Sequence, residues 1–402
     1  MSCNSSHTKE SAPQTMSTLS SENVIKRLDG SLIEADSLGK KIQTLIEAAN
    51  VTGLAVSIFN EREVAYKKAF GFSDIRTKKP LSTDQVFYGA SLSKSVFGFL
   101  VAKLVSEGKL DLDKPLQDYL NKPLPEYEFK KEWKGYKDLA DDERYQLITA
   151  RMCLSHMTGF PNFRWFTKEF DFDRNGKIRF LVDPGTRYSY SGEGMNLLQF
   201  VIEEITGKDL EELAQEYVFQ PLEMSMTSYI WQDRFEGKFC FGHDKNQEVI
   251  GKDKEDEPGA AGSMETTIDD YSLLFNEVFK LHKSQSEITK SLFRPNTRIK
   301  SKVQFGASSW EDTAENDDIE LSYGLGWGLL QSPYGFGAFK EGHGEGFQHY
   351  SILFPDSGVG IIIMSNSDNA ESIFKELLAL TIGDIYTPWK WERYIPYDMN
   401  KK

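Results

Sequence analysis

Ser91, Ser93, Lys94 and Ser95 stand at the head of the stretch GASLSKSVFGFLVAKLV, residues 89–105. Side chains three and four apart share a helix face, so Lys94 pairs with Ser91 rather than with its neighbours Ser93 and Ser95. The residues that follow, from Val96 to Val105, are almost all apolar, so the helix is expected to be buried on most sides. A lysine entering that environment loses hydration, which favours the neutral amine, and a neutral amine can take a proton from a hydroxyl. Ser91 on the first turn would also feel the positive end of the helix dipole. The chemistry suggested is a serine nucleophile activated by a dehydrated lysine. A plainer reading exists: Ser91 caps the helix and Lys94 reaches out to solvent.

The elements that would hold this pair come from both ends of the chain. Leu38, Ile42, Leu45 and Ile46 recur at helical spacing across 36–50. GLAVSIF (53–59) and EVAYKKAFGF (63–72) read as strands, and VFYGA (86–90) as an extended piece leading into the serine helix. The middle of the chain is helical in pattern. One helix runs from Met195 to Thr206 and stops at Gly207, a capping box at Asp209–Glu212 opens another, and Thr267 opens a third. Residues 121–147 are charged and irregular and read as a surface insertion. After about residue 320 strand signals return in LSYGLGWGLL, YSILF and GVGIIIMSN, and a last helix is expected over about 370–382. The expected class is α+β: an antiparallel sheet from residues 31–90 and 310–390, and a mainly helical lobe, 91–309, inserted between them.

Composition narrows the functions. The net charge of −14 repels phosphate backbones and argues against nucleic-acid binding. The three cysteines, Cys3, Cys153 and Cys240, form no CxxC and no disulfide framework. HExxH, G-x-S-x-G, P-loop and dinucleotide fingerprints are absent, so no cofactor or metal is expected. Asp171, Asp173, Asn175, Gly176 and Ile178 begin like a calcium loop. However, Val182 stands where the bidentate glutamate belongs, and an Asn-Gly turn between two strands is the preferred reading. Residues 1–30, rich in Ser, Thr and Asn, read as a disordered tail. Ser2-Cys3 before a polar linker resembles a bacterial lipoprotein after loss of its signal. That would put the protein outside the cytoplasm, tethered to membrane through Cys3; a cytoplasmic protein with a polar tail is the alternative.

Several segments, in order, resemble the penicillin-recognising serine hydrolases: class C β-lactamases, DD-peptidases and their esterase and amidase relatives. They are the Ser91–Lys94 helix, EGKLDLDKPLQDYL, ITARMCLSHMTGFPNF, PGTRYSYSGEGMNLLQFVIEEITG, PGAAGSMETTIDDYSLLF, and GFQHYSILFP with GVGIIIMSN. The similarity spans most of 35–385 and implies a β-lactamase/transpeptidase-like fold. It implies that Tyr190 shuttles the proton beside Lys94, with its pKa lowered by the cations near it. The family's Tyr-x-Asn reads Tyr190-Ser191-Gly192 here, so the asparagine is missing. Its Lys-Thr-Gly falls, without a gap, on Lys340-Glu341-Gly342, with His343 giving the second oxyanion N–H beside that of Ser91. A register on His343-Gly344-Glu345 needs a deletion. Lys340 would bias Tyr190 toward the phenolate. Gly192, Glu193 and Glu341 are pocket candidates, and Glu341 would repel a substrate carboxylate.

The expected function is acyl-enzyme hydrolysis of a small ester or amide, or of a peptide. The alternatives are a β-lactamase or DD-carboxypeptidase acting on peptidoglycan-like substrates, and an inactive binding or sensor module of the same fold. Oligomeric state is left open.

Overall fold

The structure, a computed structural model, describes residues 24–399; Cys3 and the first part of the polar tail lie outside them. Strand Val24–Lys26 pairs with Leu32–Glu34, so residues 24–30, expected to belong to the tail, are part of the fold. Among the described residues no helix is long and apolar enough to cross a membrane.

The centre is an antiparallel sheet whose strand order mixes the two chain ends. Thr297–Arg298, Ser322–Tyr323, Gly328–Ser332, Gly335–Gly344, Phe347–Phe354 and Val359–Ser365 come first, then Gly53–Asn60, Glu63–Asp74 and Lys79–Pro80. The join is Val359–Ser365 against Gly53–Asn60, with Ile361 opposite Ile58 and Ile363 opposite Val56. Successive strand side chains point to opposite faces. Leu54, Val56 and Ile58 therefore pack on one side with Ile361 and Ile363. Ala55 and Phe59 pack on the other with Ile362 and Met364. Both faces are covered, which explains why these strands read as continuous apolar runs. Helices Ala35–Ala48 and Glu371–Thr381 cover the first face, and Ile268–Lys283 with the helical lobe covers the second. The edge strand Thr297–Arg298 joins the sheet from within the segment expected to be mainly helical.

Local signals behave as their chemistry dictates. Gly207 closes the helix Gly192–Thr206 with φ +67°, a left-handed cap that lacks the Cβ penalty. Asp209 and Glu212 form the reciprocal capping box, and Thr267 caps Ile268–Lys283. The 121–147 segment is a chain of short 3-10 turns pinned by buried Leu124, Tyr136 and Leu139. The Asn175-Gly176 turn forms without flanking strands. Instead Asp173 accepts the Asn175 N–H at 3.0 Å and pairs with Arg179 at 2.7 Å, so the loop is held by side chains. No group of three His, Cys, Asp or Glu among the described residues is placed to hold a metal ion.

Candidate active site

Ser91 sits in a 3-10 turn, Ala90–Leu92, and the α-helix begins only at Ser93. The expected first-turn position is displaced because Ala90 takes φ +46°, a left-handed conformation that breaks the run from strand to helix. Ser93 and Ser95 hold this turn in place. The Ser93 hydroxyl donates to the Ala90 carbonyl at 2.5 Å and accepts the Met264 N–H at 3.1 Å. The Ser95 hydroxyl donates to the Leu92 carbonyl and meets the Tyr271 hydroxyl, both at 2.7 Å. That leaves Ser91 as the half-buried serine facing a cleft of about 560 Å³.

Lys94 is 2% exposed, and its amine donates to Ser91 Oγ at 2.9 Å and to the Ala261 carbonyl at 2.5 Å. Burial, and after it the nearby Lys340 ammonium, hold its pKa well below the ordinary lysine value, against an opposing pull from Glu341. The solvent-reaching reading of Lys94 is therefore excluded. Tyr190 is 5% exposed, with the Lys94 amine 5.0 Å from its ring centre and the Lys340 amine 3.2 Å from its hydroxyl. The expected phenolate bias does not follow. Burial raises the Tyr190 pKa to about 12; Lys340 works downward but Glu341 offsets part of its effect. Tyr190 is thus a neutral phenol, and the group able to take the serine proton is Lys94.

Lys340 lies on strand Gly335–Gly344, wholly buried. Burial alone would lower its pKa, but Glu341 and Tyr190 override this and hold it above the ordinary value. Glu341 Oε1 accepts from Lys340 at 2.7 Å and from Gln304 Nε2 at 2.9 Å. The strand runs against the serine turn because it is bare there. A Cβ on Gly342 would lie 2.8 Å from the Gly89 carbonyl oxygen, and one on Gly344 would lie 2.5 Å from the Tyr88 ring. The His343 side chain stands at the cleft rim, 62% exposed, paired with Glu371 at 2.7 Å.

The pocket candidates divide. Gly192 adjoins the cleft through Asn162, whose Oδ1 accepts the Gly192 N–H at 3.0 Å. A Cβ at 192 would come within 2.8 Å of the Asn162 carbonyl oxygen. The cleft therefore does contain a carboxamide, supplied by residue 162 instead of 192. Glu193 does not line the cleft. It turns to the far side of its helix and forms a buried pair with Arg164 at 2.7 Å, a fixture of the fold.

Sequence reasoning missed Asn162, Gln304, His156 and the cleft wall formed by Glu392, Arg393, Tyr394 and Ile395. His156 stacks on Tyr190 with ring centres 4.1 Å apart, and its Nδ1 accepts the Ser191 N–H at 3.1 Å. Burial first, then Lys94 and Lys340, hold it neutral. The SHMTG segment that carries it was the available signal; the other residues come from loops and from the chain end, which carry no periodic pattern.

A buried amine on a serine hydroxyl, a phenol alongside and a bare strand opposite, set between an antiparallel sheet and a helical lobe, define a fold of the β-lactamase/penicillin-binding-protein type. The family model described as Beta-lactamase matches residues 38–381, and the chain belongs to that family. It is 25% identical over 258 residues to N-acetylmuramyl-L-alanine amidase of Bacillus subtilis (54% of this chain, 55% of that protein). It is 23% identical over 381 residues to penicillin-binding protein 4* of the same organism (86% and 77%). The chain thus spans only about half of the amidase's length. Among solved structures, the octameric penicillin-binding protein homologue from Pyrococcus abyssi superposes with a TM-score of 0.67 at 20% identity, covering 90% of this chain and 80% of that one.

Proposed function

We propose that the protein is a serine hydrolase that forms an acyl-enzyme on ester or amide substrates. The observation that carries this is the Lys94 amine, dehydrated and 2.9 Å from Ser91 Oγ. In this reading Ser91 Oγ attacks the substrate carbonyl as its proton passes to Lys94. Backbone N–H groups of Ser91 and His343 receive the oxyanion. The proton then moves through the Tyr190 hydroxyl to the departing alkoxide or amine. Water repeats the sequence on the acyl-enzyme: its proton goes to Lys94, its oxygen to the acyl carbon, and Ser91 recovers its hydrogen.

The third motif weighs against penicillin-like substrates. Lys340 already has a carboxylate, that of Glu341, so it has little attraction left for the carboxylate of a β-lactam. An ester or amide without that carboxylate fits better. Fluorophosphonate labelling with peptide mass spectrometry tests the reading. An adduct on the Ser91 peptide, lost in Ser91→Ala, supports it, whereas folded protein that takes no label is the inactive binding module. Turnover of nitrocefin above that of p-nitrophenyl acetate would instead favour the β-lactamase alternative.

A further inference from the structure

Glu392 ends the short helix Trp389–Glu392 and lines the Ser91 cleft, yet its side chain has no partner. The residue is 7% exposed, and neither carboxylate oxygen makes a hydrogen bond. Across the same cleft wall, Glu341 spends Oε1 on Lys340 and Gln304 while its Oε2 is buried without a partner. Three carboxylate oxygens are therefore buried without protein donors, and burying such atoms unpaired is expensive.

The nearby cations are already engaged. Lys340 serves Glu341 and Tyr190, His343 is paired with Glu371, Lys94 serves Ser91 and Ala261, and Arg393 Nη1 reaches the Phe305 carbonyl at 3.4 Å. No third His, Cys, Asp or Glu among the described residues completes a metal site with the two glutamates. A compact organic cation with several N–H donors matches these oxygens. Tyr190, Phe305 and Tyr394 supply aromatic wall in the same cleft, a surface on which ammonium groups rest favourably. Burial foremost, and then Glu341, raise the Glu392 pKa well above the ordinary value.

We propose that Glu392 and the free oxygen of Glu341 form a subsite for a primary ammonium group, so that the preferred substrates are esters or amides carrying an unblocked amine, such as aminoacyl compounds. This rests on the hydrolase reading for the word substrate, but the binding site itself does not. The subsite is distinct from anything the serine, lysine and tyrosine do: it selects, and they react.

Two measurements separate the claims. In Ser91→Ala protein, where no acyl-enzyme can form, D- and L-alaninamide are titrated calorimetrically beside N-acetylalaninamide. The free amine should bind roughly tenfold tighter or more, the scale of a hydrogen-bonded charge, and the preference should vanish in Ser91→Ala/Glu392→Gln. In otherwise unaltered enzyme, the ratio of kcat/KM for alanine p-nitroanilide to that for p-nitrophenyl propionate should fall about tenfold or more on Glu392→Gln. Glu392→Asp, which keeps the charge, should retain most of the ratio, and thermal melting confirms that each variant is folded. Equal binding of free and acetylated alaninamide overturns the subsite, as does a Glu392→Gln variant whose ratio is unchanged. If alaninamide binds through Glu392 while Ser91 takes no label, the subsite stands and the hydrolase reading fails.

Discussion

Acid should destabilise this protein from directly beneath the serine turn, through His349. The ring is 1% exposed, on strand Phe347–Phe354 opposite Gly342. Its Nε2–H donates to the Tyr88 carbonyl at 2.8 Å, and its Nδ1 accepts the Ser365 N–H at 3.2 Å. Both nitrogens are satisfied only in the neutral form; a second proton would set N–H against N–H. Burial foremost, with a smaller push from His343, takes the pKa down to about 4 although the Tyr88 carbonyl pulls upward. The unfolded value is about 6.5. Because the folded pKa is the lower one, the unfolded chain binds more protons between the two. The contribution is complete above about 6.5 and is lost as pH falls toward about 4. At roughly 1.4 kcal/mol per pH unit the window amounts to about 3 kcal/mol. Urea unfolding at pH 7.0 and 4.5, followed by tryptophan fluorescence, measures it in wild type and in His349→Gln, whose side chain does not titrate. Wild type should lose about 2–3 kcal/mol more than the variant over that interval. His156 and His243 are also held below their ordinary pKa by burial, but they titrate in both proteins and cancel in the difference. Parallel losses in the two proteins would refute the argument.

Three further outcomes are expected. The kcat/KM for p-nitrophenyl acetate should rise with pH only up to the depressed Lys94 pKa and then level; a limb still climbing toward pH 10 would show an ordinary, hydrated lysine. Gly192→Asn restores the missing side chain of the tyrosine motif but drives its Cβ to 2.8 Å from the Asn162 backbone. It should lower stability by about 1–3 kcal/mol in denaturant melts, and Asn162→Ala should not relieve it. Glu193→Gln leaves Arg164, 3% exposed at its side chain, without its counter-charge and should lose about 3–5 kcal/mol, far more than a pocket-lining residue would.

Much of the frame was legible because it rests on local physics. Caps at Asp209 and Thr267, the left-handed stop at Gly207 and the apolar run in Gly53–Asn60 are each written in a few neighbouring residues. The Ser91–Lys94 contact follows from spacing alone, even though a 3-10 turn replaces the expected α-turn. The site's electrostatics were harder to read. That a phenol lies near two amines could be inferred, but whether burial or the amines set its pKa depended on Glu341 bonding to Lys340, a three-dimensional fact. Glu193 shows the same limit. Its place beside Gly192 said nothing of Arg164, 29 residues earlier, which claims it. Asn162, Gln304 and Glu392 reach the cleft from three separate segments, and no periodicity or motif links them.

The chain's final stretch separates holding from contacting. Trp391, fully buried with its Nε1–H on Ser301 Oγ at 3.1 Å, and nearly buried Trp389 moor the segment to the sheet core. Glu392, Tyr394 and Ile395, immediately beyond, meet whatever occupies the cleft. An engineer could therefore exchange residues 392–395 while leaving both tryptophans untouched, and retune selectivity without disturbing the reacting groups.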